Sequence, residues 1–186
     1  LFVVMLVAGV ANRNLIFEQR ASANQWRSTQ AFEAAEAGLE WAQAMLASDA
    51  AIGDACEPDA APGNAAFRER FLAYDAESRA FTPRTWSDGG HVVALQAACV
   101  RDGDGWSCSC PRAPNPVLDA PPSTGTHPAF AIRFMAADRS GHVQLLATGC
   151  DRFAPECLPG LAGPAAGGAT AQVQVTLGLL PALTAI

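Results

Sequence analysis

The chain opens on an apolar run, Leu1–Ala11 (LFVVMLVAGVA), that carries no charge. A helix that spans a bilayer needs about 20 apolar residues, so this run by itself is too short. It fits the end of a membrane helix that begins upstream, the apolar part of a signal peptide, or a buried helix. We favour the first because the helical pattern continues past Ala11 without a break.

Residues 12–48 have the pattern of an amphipathic helix. They contain no proline and one glycine, Gly38, and are rich in good helix formers. A continuous helix over residues 1–48 would be about 70 Å long, which is more than a small domain can cover. We therefore expect its front half to be buried in a membrane or among neighbouring copies; two helices joined near residues 12–14 are the alternative. Spacings of three and four define one apolar stripe, formed by Phe32, Ala35, Leu39, Ala42 and Leu46.

Acidic and aromatic side chains on this helix are candidate contacts. Glu33, Glu36 and Glu40 flank the apolar stripe, and they form either a solvated face or a surface that meets arginines of neighbouring subunits. Trp26 and Trp41 are about 60° apart on an ideal helix. Each is a candidate for a partner contact or for packing against the rest of the chain.

The remainder of the chain has the pattern of short strands separated by turns. One predicted hairpin turns at Asp102-Gly-Asp-Gly105 and a second at Asp138-Arg-Ser-Gly141. A short helix is expected at Ala65–Tyr74. The predicted strands are His91–Arg101, Trp106–Cys110, Ala129–Ala137, His142–Thr148 and Ala171–Leu179.

These patterns predict an α+β fold in which a long N-terminal α-helix packs on an antiparallel β-sheet head with disulfide-stapled loops. The N-terminal helix region is 1–54, with an apolar part at 1–11 and an amphipathic part at 12–48. The β-rich head is 55–186.

All six cysteines lie in the head, and an even number is typical of a protein folded in an oxidising compartment. Cys150 and Cys157 are close in sequence across a loop, so we expect them to pair. The first hairpin places Cys99 opposite Cys108. The four remaining cysteines allow two pairings, Cys99–Cys108 with Cys56–Cys110, or Cys99–Cys110 with Cys56–Cys108.

Composition and motifs argue against several kinds of function. The net charge is −6 and the twelve basic residues, all arginine, form no cluster, so a nucleic-acid partner is not expected. Cys108-Ser-Cys110 has no second pair at zinc spacing, and the three histidines are scattered singly. The chain has no nucleophile elbow and no phosphate-binding loop. We expect no catalytic activity, cofactor or metal.

Residues 14–41 resemble a known family. A Glu-Gln-Arg segment at 18–20, an Ala-Asn pair at 23–24 and then Phe32-Glu-Ala-Ala-Glu-Ala-Gly-Leu39 occur in this order, as in the N-terminal region of PilX-type minor pilins. The resemblance extends over roughly residues 1–46. An apolar helix that leads into an amphipathic helix and a disulfide-bearing head is also the plan of type IV pilins and pseudopilins.

The resemblance implies a pilin-like fold and a structural role in type IV pilus assembly or priming, at the filament tip. It implies that other minor pilins and the major pilin are partners, together with a large pilus-tip protein. The protein would lie in the inner membrane with its head in the periplasm before it enters the surface pilus. The prepilin cleavage site would then lie upstream of Leu1. A minor pseudopilin of a type II secretion system and a membrane-tethered periplasmic binding module are the alternatives.

Overall fold

The structure is a computed structural model that describes residues 2–78, 80–88, 91–122, 125–139, 141–154, 158 and 168–179. The side chains of residues 2–15, 88 and 91 lie outside this description. The helices are α1 (Phe2–Ala47) and α2 (Phe67–Phe71). The strands are β1 (Ala51–Ile52), β2 (Ala65–Ala66), β3 (Leu72–Asp75), β4 (Ala80–Pro83), β5 (Thr85–Asp88), β6 (His91–Ala94), β7 (Gln96–Asp102), β8 (Gly105–Ser109), β9 (Ala129–Ala136), β10 (His142–Cys150) and β11 (Thr170–Gly178).

Helix α1 is continuous over its 46 residues, so the alternative of two helices is wrong. It is about 70 Å long at the usual rise per residue. Every residue from 16 to 29 is exposed, and burial begins at Gln30 and Ala31. Among the residues of α1 whose side chains are described, 16–47, the head therefore covers positions only from Gln30 onward.

The head is built on a five-stranded antiparallel sheet in the order β11-β10-β9-β7-β8. The predicted register of the first hairpin is confirmed, because Cys99 lies opposite Cys108. The second predicted hairpin is also present as β9 and β10, with Phe134 opposite Leu145. The last predicted strand, β11, pairs with β10 along its whole length. The α+β class is therefore present as predicted.

The two faces of this sheet are covered differently. On one face, Phe130, Ile132 and Phe134 of β9 pack in the main core with the buried residues of α1. On the other face, Val100 and Ala131 form a second cluster with Leu118, Leu158 and their neighbours. Both clusters bury apolar area that stabilises the head.

The buried stripe of α1 differs from the predicted one. Phe32 is 47% exposed and Leu39 is only half-buried. The helix approaches the sheet too closely for large side chains at the centre of the contact. A Cβ built on Gly38 would lie 2.8 Å from the Phe130 ring. Small residues therefore occupy most of the contact, and the buried positions of the stripe are Ala31, Ala34, Ala35, Gly38, Ala42 and Leu46.

Short antiparallel pairs surround the main sheet in places where the sequence predicted other structure. The single strand expected at His91–Arg101 is divided at Leu95, which is buried, into β6 and β7. Strand β6 pairs with β5 rather than extending the main sheet. The helix expected at Ala65–Tyr74 is shorter, because Leu72–Asp75 leaves it to pair with β4. These pairs depend on long-range partners, which local periodicity does not reveal.

Two disulfides have both cysteines in the described part of the chain. They are Cys56–Cys110 and Cys99–Cys108, which is the first of the two pairings that the sequence allowed. Cys150 is also disulfide-bonded; its predicted partner, Cys157, lies outside the described residues. The Cys56–Cys110 bridge ties the loop after β1 to the segment after β8.

The buried guanidinium of Arg70 connects the same two segments, the loop after β1 and the segment after β8. Its Nη1 donates to the carbonyl oxygens of Gly53, at 3.0 Å, and of Cys110, at 2.5 Å. The same nitrogen lies 2.9 Å from Asp54 Oδ1, and Nη2 donates to the carbonyl of Ile52. One side chain thus satisfies several carbonyls from segments that are distant in sequence, and a buried carbonyl without a donor would be destabilising.

Candidate assembly surface on the long helix

The exposed residues 16–29 of α1 are the candidate functional surface. We call residues 16–29 the projecting segment, because all of them are exposed. Two large aromatic side chains lie on it, Phe17 at 67% exposure and Trp26 at 64%. An aromatic ring buries a large apolar area when a partner covers it. The projecting segment therefore presents two anchor groups that the head leaves free.

Trp26 and Trp41 have different roles. The ring of Trp41 packs edge-on against Phe67, with centroids 5.3 Å apart, and lies 5.7 Å from Phe130. It belongs to the core cluster around β9. Trp41 is therefore a packing residue, and Trp26 is the candidate partner contact.

One side of α1 is acidic. Glu33, Glu36 and Glu40 are all exposed and form no ion pair with another described residue. On an ideal helix they fall within about 80° of Glu18 and Trp26, on the side that faces away from the sheet. We call this row the outer face, and it consists of Glu18, Ser22, Trp26, Glu33, Glu36 and Glu40.

The opposite side of the projecting segment carries arginine. Arg20 and Arg27 are exposed and seven residues apart, so they fall on nearly the same side of the helix. That side continues the line of the buried positions Ala31 and Gly38. Helix α1 thus carries acids and arginines on opposite sides.

Asp151 marks the point where the projecting segment leaves the head. Its carboxylate is fully buried and accepts a hydrogen bond of 2.8 Å from the Ala169 amide. It lies 3.3 Å from Arg152 Nη2 and 4.0 Å from Arg27 Nε. The contact with Arg27 links the end of β10 to the last exposed turns of the helix.

A separate cavity of about 480 Å³ lies beside α2 and is also lined by residues of the paired strands β3 and β4. Tyr74 and Phe81 form one wall, with ring centroids 4.9 Å apart. Two arginines line it, but Arg84 Nε donates to the Glu69 carbonyl at 2.8 Å, and Arg68 pairs with Asp49 at 3.3 Å. The cavity could hold an anionic or aromatic group. Its lining residues show no pair of side chains placed for general acid–base catalysis.

The other sequence motifs do not converge on a reactive site. Cys108 and Cys110 are both in disulfides. Within the described ranges, no three His, Cys, Asp or Glu side chains lie close enough to hold a metal ion. Asp102 and Gly105 form the paired ends of the first hairpin.

Sequence reasoning found Trp26 and the acidic row but missed three residues of this region. Phe17 follows Leu15 and Ile16 and precedes Glu18, so it reads as the end of an apolar stretch, and no local pattern marked it as an exposed anchor. Arg27 and Asp151 are 124 residues apart in the chain, so no local pattern connects them. Only the packing of α1 on the sheet brings them together.

No family model matches the chain, and neither the curated proteins nor the solved structures include a significant match. Among the described residues, no helix has a stretch that is long and apolar enough to cross a membrane.

Proposed function

We propose that this chain is a structural minor pilin of the PilX type, which takes part in type IV pilus assembly or priming at the filament tip. The observation that carries the proposal is the division of α1. Its C-terminal part is packed into the head, and residues 16–29 project with Phe17 and Trp26 exposed. In a monomer, the apolar rings of Phe17 and Trp26 stay in contact with water. In a filament of packed helices, neighbouring helices can bury them, which is favourable.

In this proposal the apolar residues 1–11 rest in the inner membrane while the head folds in the periplasm. Assembly transfers α1 into the filament core, where helices of neighbouring subunits surround it. Burial of Phe17 and Trp26 contributes the apolar part of the driving force. The partners are other minor pilins and the major pilin, with a large tip protein as a further partner, and the assembled protein lies on the cell-surface pilus.

The charge pattern of α1 supports packing between helices. The outer face carries Glu33, Glu36 and Glu40, and the opposite side carries Arg20 together with Arg27, whose Nε also lies 4.0 Å from Asp151 of the same chain. Unlike charges that meet across subunits select the register and disfavour wrong arrangements. The exposed acids are then subunit contacts in the filament and a solvated face in the free protein.

Gene deletion tests the proposal. We expect deletion to abolish or sharply reduce surface pili, counted by electron microscopy, and the wild-type gene to restore them. A gene with Phe17→Ala and Trp26→Ala should restore few pili although the protein folds. The matched control is Trp86→Ala, which removes an aromatic side chain that is 42% exposed on the head. Normal piliation of the deletion strain would contradict the proposal.

The same strain separates the alternatives. Normal piliation with lost protein secretion would identify a minor pseudopilin of a type II secretion system. Normal piliation with normal secretion would favour a membrane-tethered periplasmic binding module. The cavity beside Tyr74 and Phe81 is the observation that favours this last candidate.

A further inference from the structure

Strand β11 ends the main sheet on one side. It is nine residues long and pairs with β10 from Thr170 to Gly178. No described residue pairs with its other edge. Within the described part of the chain, the outward backbone N–H and C=O groups of this edge therefore have no strand partner, and an edge of this kind can pair with another strand.

This edge lacks the features that usually prevent pairing. Edge strands are commonly protected by charged side chains, proline or bulges. The sequence Thr170–Gly178 (TAQVQVTLG) contains neither a charge nor a proline. Its pairing with β10 is regular at all nine positions. Nothing within β11 itself opposes the approach of another extended chain.

The side chains of β11 alternate in a way that suits a further strand. Those on the α1 side are Ala171, Val173, Val175 and Leu177, and all are only half-buried. The corresponding β10 residues are buried because they have neighbours on both sides. An additional strand would supply the missing neighbour. The opposite face of β11 carries Thr170, Gln172, Gln174 and Thr176, all exposed.

We propose that the partner is β11 of a second copy, paired antiparallel about a two-fold axis at Gln174. A two-fold axis perpendicular to the sheet keeps each side chain on its own face of the sheet. Two residues that face each other across the axis therefore lie on the same face, and because faces alternate along a strand, their residue numbers are both even or both odd and sum to an even number. Full overlap of nine residues places that axis at position 174. The result is a continuous ten-stranded sheet across two copies.

The side chains are self-complementary in this register. On the α1 side, Val173 faces Val175 of the second copy, and Ala171 faces Leu177. A small residue thus meets a large one, and two medium residues meet each other. On the polar face, Gln172 faces Thr176 and Gln174 faces itself. The pairing brings no like charges together, which would be destabilising. It stands whether or not the chain is a pilin.

Charge reversal at the axis tests this pairing. The full chain is purified in a mild detergent, and its association is measured by sedimentation equilibrium over a range of concentrations. We expect a reversible dimer for the wild type. Gln174→Lys and Gln174→Glu each place two like charges opposite each other and should raise the dimer Kd by about fivefold. Mixing the two variants should restore association, with the heterodimer dominant in native mass spectra.

A stronger pair of variants and a matched control complete the test. Changing positions 172, 174 and 176 together to lysine, or together to glutamate, creates three like-charge pairs and should raise the Kd by about tenfold or more. Gln43→Lys introduces the same charge at an exposed position of α1 and should leave the Kd unchanged. Rescue on mixing excludes unfolding as the cause of lost association.

Two results would overturn the inference. One is a wild-type chain that stays monomeric at all concentrations. The other is a dimer that responds equally to Gln43→Lys and to Gln174→Lys, since that dimer would use another surface or respond only to net charge. Either result would leave the proposed role of α1 untouched, because that role is tested by piliation.

Discussion

Gly149 of β10 lies directly against the backbone of Ala34 in α1. A Cβ built on Gly149 would come within 2.9 Å of the Ala34 carbonyl carbon and would also contact backbone atoms of Ala31 and Ala35. Backbone cannot move aside as a flexible side chain can. Because Gly149 has no Cβ, α1 can lie this close to β10, and a methyl group at this position would not fit.

Gly149→Ala should therefore destabilise the head strongly. Overpacking of a well-packed site typically costs about 1–3 kcal/mol, and we expect the upper end here. The free energy of unfolding from urea titration measures the effect. Gly178→Ala is the control, because its Cβ would meet nothing nearer than His142 Nε2 at 3.6 Å. Equal stability of the two variants would show that α1 does not pack as closely as described.

Arg70 should be far more sensitive to substitution than other arginines. Arg70→Ala removes the donors to the carbonyls of Ile52, Gly53 and Cys110. A loss of about 3 kcal/mol or more is expected, since unsatisfied buried groups cost about 1–3 kcal/mol each. The exposed Arg139, between β9 and β10, provides the comparison, and Arg139→Ala should stay within about 0.5 kcal/mol of wild type. Chemical denaturation of the three proteins decides between these outcomes.

The two described disulfides should contribute unequally to stability. Cys56–Cys110 encloses a sequence separation of 54 and Cys99–Cys108 a separation of 9. In the chain-entropy model these correspond to about 4 and about 2.5 kcal/mol. Paired alanine substitutions should therefore lower the free energy of unfolding more for the first bridge. The reverse order would mean that the short hairpin bridge acts mainly in the folded state.

Trp26 and Trp41 should separate assembly from stability. Trp41→Ala leaves a gap beside Phe67 and Phe130, and we expect a loss of about 3 kcal/mol. Trp26→Ala should change stability by no more than about 0.5 kcal/mol and should instead reduce piliation. Thermal unfolding and pilus counts on the same variants test both statements. A destabilised Trp26→Ala protein would place that ring inside the fold.

Asp75 should titrate below its usual pKa. The backbone amide of Glu77 and the hydroxyl and amide of Ser78 stabilise its carboxylate, so its pKa is lowered from 3.8. The folded pKa is depressed, so the contribution of this group is present above the unfolded pKa and is lost as pH falls through the folded pKa. NMR titration of the wild type and of Ser78→Ala should show the pKa rise in the variant. An unchanged midpoint would exclude the Ser78 hydroxyl as a cause.

Several elements could be predicted from the sequence because local spacing encodes them. The absence of proline before residue 58 accords with the continuous α1. Alternation in the predicted strands Ala129–Ala137 and Ala171–Leu179 indicated β9 and β11. The turn at Asp102–Gly105 set the register that places Cys99 opposite Cys108. In each case the paired strand lies nearby in the chain, or the spacing of apolar residues is enough to define the helix or strand.

The candidate surface was only partly predictable. The acidic row and Trp26 were visible as residues of an amphipathic helix, but the sequence did not say which side of α1 would be covered. Phe32 looked like a core residue and is half exposed. The exposure of residues 16–29 depends on where the head stops, which is a property of the folded head and not of the helix.

The sequence by itself determined the two main hairpins and the final strand and favoured the long helix, because each follows from residue spacing within one segment. Only the tertiary structure decided the pairing of Cys56 with Cys110, the buried face of α1 and the contact of Arg27 with Asp151. These depend on how closely two distant segments can approach. Gly38 and Gly149 permit the close approach of α1 to the sheet. This role of a glycine can be recognised only when its neighbours in the folded structure are known.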